Sequence, residues 1–287
     1  MQNETVQTIA LYTAQIPGAK DSINQESVES QDDTGRFVVD VSQPRLTAYW
    51  PSKDLHNGCA VVICPGGGYR GLSVDMEGHA IAKRCITLGI SAFVLTYRMP
   101  SDKTMDTPQL GPLQDLQQAL HVVNSGAKEW HLDPLKIGVM GFSAGGHLAS
   151  SAAVHYQRPV LPTIDSKLLK PAFQILIYPV ISMDPKITHL GSRTLLLGEN
   201  ANSLDTEYFS NDTQINKNSP PAFILHANDD SHVSVDNSLR YYYSLKESQV
   251  PVQLLLLPHG GHGFGLHHEY NWFQSLNMWL RLSRLIS

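Results

Sequence analysis

The chain predicts an α/β protein, with a mainly parallel central sheet and helices on both faces. Two observations carry this: short runs that are apolar throughout recur along the sequence, and segments with helical spacing separate them. A third bears on size. At 287 residues and 42% hydrophobic content the chain can bury a substantial core. The order shows no internal repeat and no break into halves. It predicts a polar N-terminal arm at 1–35 and a single domain at 36–287, with a lid-like excursion at about 181–219.

Each element follows from its residues. Residues 1–35 are rich in Gln, Asn, Ser and Asp. Leu46–Trp50 reads as a strand closed by Pro51, and Ala60–Cys64 as a buried strand stopped by Pro65 and three glycines. Gly78–Leu88 has helical spacing, and Ser91–Tyr97 is the next strand. Pro112–Trp130 carries Leu113, Leu116, Leu120 and Val123 at helical intervals, with Asp115 near the start where the helix dipole favours an acid. Ile137–Met140 is an apolar strand run, and His147–Val154 is compatible with a helix. Strands follow at Phe173–Tyr178, Ala222–His226 and Val252–Leu257, with helices at Asn237–Ser248 and Tyr270–Ser287. Long stretches without a strand, such as 181–219, commonly form lids or substrate walls.

Composition excludes several function classes. Lys and Arg total 21 against 26 Asp and Glu, scattered, for a net charge of −5. That leaves no basic stripe for nucleic acid. No apolar run approaches the roughly 20 residues of a membrane span. Cys59, Cys64 and Cys85 are odd in number and read as small buried hydrophobes. Thirteen histidines form no zinc-type cluster, so neither a metal nor a cofactor is expected. No basic-plus-apolar signal segment is read, so a cytoplasmic site, or a periplasmic or secreted one after removal of a leader, is open.

The chemistry-bearing motif is Gly141-Phe142-Ser143-Ala144-Gly145, a Gly-x-Ser-x-Gly turn between an apolar strand run and a helix. Such a turn lifts a serine hydroxyl clear of the sheet edge, and its glycines allow close approach of neighbouring chain. A serine hydroxyl is a weak nucleophile; it needs an imidazole to take its proton and a carboxylate to orient that imidazole. Asp229 and Asp230 follow one strand, and His259 and His262 follow another, where open α/β sheets place their ligands. His262 lies between two glycines that free its loop, whereas His259 sits beside Pro258. His147 reads as a packed helix residue, and His267 and His268 as surface residues. Pro65-Gly66-Gly67-Gly68-Tyr69 follows the second strand; with no Gly-Lys-Ser/Thr it is no phosphate loop, and its N–H groups suit an oxyanion.

With these motifs the chain resembles the esterase/lipase superfamily of α/β-hydrolases. It is similar in particular to bacterial acetyl-xylan esterase-like carbohydrate esterases of the BD-FAE or xylanase-associated type. The carrying segments are Ile63–Tyr69, Val139–Ala149, His226–Asp230 and Gly260–Gly265, and the similarity runs from about Pro44 to the C-terminus. The resemblance implies a Ser143, His262 and Asp230 triad, with oxyanion donors at Gly67, Gly68 and Ala144. It implies hydrolysis of short-chain, chiefly acetyl, esters on a small-molecule or oligosaccharide substrate such as acetylated xylo-oligosaccharides. A peptidase or other acyl hydrolase on the same residues, and a non-catalytic binding protein, are the alternatives. Two departures stand out: Pro65 replaces the histidine of lipase-like relatives, and Ser234 stands where a proline is common.

Overall fold

Runs that are apolar on every residue must be covered on both faces, and here helices cover them. The computed structural model describes residues 6–33, 35–161 and 164–287. In chain order the strands are β1 (Val6–Ala10), β2 (Ser27–Asp32), β3 (Gly35–Val39), β4 (Arg45–Tyr49), β5 (Ala60–Cys64) and β6 (Gly71–Ser73), then β7 (Ser91–Thr96), β8 (Ile137–Phe142), β9 (Gln174–Ile177), β10 (Ala222–Ala227) and β11 (Val252–Leu257). The α-helices are α1 (Ala80–Ile86), α2 (Gly111–Gly126), α3 (Ala144–His155), α4 (Leu190–Leu197), α5 (Ser203–Tyr208), α6 (Asp236–Glu247) and α7 (Trp272–Leu282).

Eight strands form one sheet in the order β1-β4-β7-β5-β8-β9-β10-β11. The six from β7 to β11 run parallel, and β4 and β1 are added antiparallel at one edge. Every residue of β5, β7, β8, β9 and β10 is buried. The period-two alternation of a strand divides them between two cores. Val62 and Cys64 face α2, α3 and α6, whereas Val61 and Ile63 face α1 and α7. β11 is the far edge strand and is only half-buried, although its sequence is as apolar as its neighbours'.

The polar 1–35 segment contributes β1, whose backbone pairs with β4, and β2, which joins β3 and β6 in a small antiparallel sheet. A π-helical turn at Asp75–His79 precedes α1, so the regular helix starts later than the spacing indicates. The 181–219 stretch holds α4, α5 and a short 3-10 turn. The three cysteines are buried and unpaired. Among the described residues, no helix is long and apolar enough to cross a membrane.

The chain passes from β5 to β7 on one side and then crosses back to β8 on the other. That reversal opens a crevice between the carboxyl ends of β5 and β8, the usual ligand position in such sheets. The glycine loop and Ser143 are the residues that follow those two strand ends.

Candidate active site

Ser143 occupies the single residue between β8 and α3 with φ 51° and ψ −120°, a conformation that a side chain adopts only under constraint. Hydrogen bonds impose it. Its N–H donates to the Ile177 carbonyl at 3.1 Å, and its own carbonyl accepts from Gly146, His147 and Val180 at 3.0–3.2 Å. The flanking glycines are required by space. A Cβ on Gly141 would lie 2.1 Å from the Gly145 carbonyl oxygen, and one on Gly145 would lie 2.1 Å from that of Cys64.

The Ser143 hydroxyl donates to His262 Nε2 at 2.8 Å, and His262 Nδ1–H donates to Asp230 Oδ2 at 2.6 Å. An ionised carboxylate only accepts, which fixes the imidazole proton on Nδ1 and leaves the Nε2 lone pair to accept from the Ser143 hydroxyl. Asp230 is well held. Its Oδ1 accepts the N–H groups of His232 and Val233 at 2.9 Å, and its Oδ2 also faces His226 Nε2 at 3.2 Å. Burial opposes its ionisation, but the hydrogen bonds from His226, His262 and Val233 outweigh that and hold the carboxyl well below the usual carboxylate range.

Asp229 has a different partner. Its Oδ1 accepts the Gly261 N–H at 2.8 Å, so it ties down the loop that presents His262. His259 faces Glu269 at 3.4 Å on the exposed side, and His268 donates to the His259 carbonyl at 2.8 Å. The structure therefore brings Ser143, His262 and Asp230 into one hydrogen-bonded chain and leaves Asp229 and His259 outside it. His147 is fully buried, accepting from the Tyr69 hydroxyl at 2.7 Å and donating to the Phe209 carbonyl at 2.8 Å.

The residues open on a cavity of about 500 Å³ whose walls include Gly67, Gly68, Ser143, His189, Leu195 and His262. Gly67 and Gly68 have φ of 138° and 67°, which suits glycine. Among the described residues their N–H groups have no protein acceptor. Ala144 opens α3, where the helix leaves its first N–H groups unpaired. His189 and Leu195 come from the 181–219 excursion, which forms one wall. The His232 ring lies 5.9 Å from that of His262. Among the described residues no cluster of three or more His, Cys, Asp or Glu could hold a metal.

His226 is a contact that sequence reasoning missed. It is the one polar residue of β10 and is fully buried, with Nε2–H between Asp230 Oδ2 and the Val233 carbonyl and Nδ1 on the Ser238 hydroxyl at 2.7 Å. A histidine in an otherwise apolar strand four residues before the acid was the available signal.

A family model, BD-FAE, matches residues 46–245. An acetylxylan esterase of Xylanibacter ruminicola is 36% identical over 258 residues, covering 86% of this chain and 50% of that protein. Endo-1,4-beta-xylanase B of Butyrivibrio fibrisolvens is 34% identical over 263 residues, covering 90% of this chain and 39% of that protein. The chain thus spans half or less of the length of these two curated relatives. Among solved structures, the acetyl ester-xyloside bifunctional hydrolase from Caldicellulosiruptor lactoaceticus matches with a TM-score of 0.79 at 33% identity, covering 98% of this chain and 97% of that one. The chain belongs to the BD-FAE family and has the α/β-hydrolase fold.

Proposed function

We propose that the protein is a serine esterase that hydrolyses short-chain esters, acetyl above all, carried on small molecules or oligosaccharides such as acetylated xylo-oligosaccharides. The observation that carries the reading is the Ser143–His262–Asp230 hydrogen-bonded chain at the mouth of a cavity beside unpaired glycine N–H groups. His262 Nε2 takes the Ser143 proton as Oγ attacks the acyl carbon. The N–H groups of Gly67, Gly68 and Ala144 receive the oxyanion, and Asp230 stabilises the imidazolium. His262 then gives the proton to the leaving alcohol oxygen. Water adds to the acyl-enzyme with His262 again as base, releasing the carboxylic acid and restoring Ser143.

The acetyl preference draws on the 181–219 excursion, which supplies His189, Gly191 and Leu195 to the cavity wall and carries no long apolar run to line a fatty-acyl tunnel. The sugar preference draws on the relatives, an acetylxylan esterase and an acetyl ester-xyloside hydrolase among them. Ser143→Ala is expected to lower p-nitrophenyl acetate hydrolysis by about 10,000-fold or more while the far-UV circular dichroism stays unchanged. A folded variant with wild-type turnover would remove Ser143 from the mechanism. Acetylated xylo-oligosaccharides assayed beside octanoyl aryl esters test the acyl and alcohol preferences; faster turnover of the octanoyl ester would contradict the acetyl assignment.

A further inference from the structure

A second carboxylate stands at the site. Glu77 comes from the π-helical turn Asp75–His79 and is 3% exposed, yet it borders the same cavity as Ser143 and His262. Both of its oxygens are engaged. Oε2 accepts the Gly66 N–H at 2.8 Å, and Oε1 accepts the Tyr178 hydroxyl at 2.8 Å. The Tyr178 oxygen in turn accepts the Gly265 N–H at 3.1 Å, on the loop that carries His262, and the Tyr178 ring lies 4.9 Å from the His262 ring. Gly66 has no room for a side chain, since a Cβ there would lie 2.6 Å from Glu77 Oε2 and 2.9 Å from Ser143 Cβ. One buried carboxyl group therefore bonds the glycine loop directly and the histidine loop through a single hydroxyl.

Its two accepted hydrogen bonds favour the ionised form. Gly66 N–H and Tyr178 O–H both donate to it, which an ionised carboxylate satisfies completely. A neutral acid would have to donate its own proton to the Tyr178 oxygen and would strand the phenol proton in a buried site. Burial raises the Glu77 pKa, and the hydrogen bonds from Tyr178 and Gly66 and the nearby His262 offset only part of that rise.

We propose that Glu77 is an anionic positioning residue for the reaction. It holds the Gly67 and Gly68 donors and the His262 loop in one frame, and its charge favours the His262 imidazolium that forms as Ser143 attacks. The proposal rests on the esterase reading above. The charged and titratable groups that meet Glu77 are Tyr178 after β9, Tyr97 after β7 and His262 after β11. On its own turn, Asp75 is paired with Arg36 and His79 with the Tyr49 hydroxyl.

The test is the pH profile of p-nitrophenyl acetate hydrolysis by wild type, Glu77→Gln and Tyr178→Phe, beside fluorophosphonate labelling of Ser143 in the wild type. The amide introduced by Glu77→Gln can still accept from Gly66 but offers the Tyr178 oxygen a donor where the carboxylate accepted, so this variant removes the charge and keeps the Gly66 link, while Tyr178→Phe reads the tether separately. A fall in kcat of about tenfold is expected, with KM changed less than about threefold. The acid limb of kcat/KM should move to lower pH by roughly half a unit or more, because an anion beside an imidazole favours its protonated form. Tyr178→Phe cuts the tether to Gly265 and should also lower kcat. Should Glu77→Gln fail to fold, folded Tyr178→Phe decides: reduced kcat supports the tether and wild-type kcat overturns it. Folded Glu77→Gln with an unmoved acid limb and wild-type kcat, or with lowered thermal stability alone, overturns the proposal. A wild type that neither hydrolyses the ester nor labels at Ser143 overturns the esterase reading and this one with it; an active wild type beside an unaltered Glu77→Gln overturns only the role of Glu77.

Discussion

Asp229 and Asp230 are adjacent in sequence and differ entirely in what they hold. Asp230 accepts from His262 Nδ1, His226 and two backbone N–H groups, whereas Asp229 accepts from Gly261 N–H on the exposed side of the same loop. Replacing each by Asn separates the roles. Asp230→Asn can turn an amide donor toward His262, which drives the ring to the wrong tautomer, and kcat should fall by about 10,000-fold. Asp229→Asn keeps an amide oxygen for Gly261 and should cost about tenfold or less. Equal losses in p-nitrophenyl acetate turnover would show that loop support, not orientation of the imidazole, is what the acid provides. The strand-end positions of Ser143, Asp230 and His262 were legible, because each follows an apolar run by a few residues. The choice between neighbouring acids needed the family resemblance. His226 left a faint local mark, a lone polar residue in an apolar strand four positions before the acid, whereas Glu77 was not legible: its partner Tyr178 lies 101 residues away, and no local spacing marks a buried polar side chain as satisfied.

At the scale of elements, the site depends on β5, β8 and the start of α3 approaching to backbone contact. Gly145 is where they meet: a Cβ there would lie 2.1 Å from the Cys64 carbonyl oxygen and 2.4 Å from that of Pro65. Neither neighbour is a side chain that can swing away, so Gly145→Ala must push α3 off the end of β5. Overpacking of this kind should destabilise the fold by about 3 kcal/mol, read as a lower urea midpoint, and should displace Ser143 from His262. A wild-type midpoint would mean that the elbow is looser than these contacts require. The parallel strands were readable from composition because burial on both faces demands apolar residues throughout. β1 was not, since its side chains are mostly exposed and backbone pairing with β4 places it. The short helices α4 and α5 also lacked a periodic signal at 8 and 6 residues. Their caps, His189 accepting from Ser192 N–H and Asn202 from Asp205 N–H, define them better than hydrophobic spacing does.

Across the whole molecule, His147 joins three parts of the chain. It lies on α3, accepts from Tyr69 of the glycine loop and donates to the Phe209 carbonyl just after α5. Burial pushes its pKa from 6.5 down to about 4, the backbone hydrogen bond opposing only part of that shift. The sign of the linkage follows. Below pH 6.5 the unfolded chain takes up a proton at this residue that the folded chain refuses until pH 4. Its contribution is therefore complete above pH 6.5 and is lost progressively toward pH 4. Other buried groups also respond to pH: Glu77, Asp115 and Asp212 are raised and so favour the folded state as pH falls, whereas His155 is pushed down by burial to about 4 and acts in the same sense as His147. A difference measurement removes them. The stability gap between wild type and His147→Gln, from urea unfolding at several pH values, should narrow by about 2 kcal/mol from pH 7 to pH 5, at about 1.4 kcal/mol per pH unit once below the unfolded value. Should the gap stay constant over that range, the imidazole would be protonating equally in both states, and the neutral His147 link between the glycine loop, α3 and the excursion would have to be abandoned.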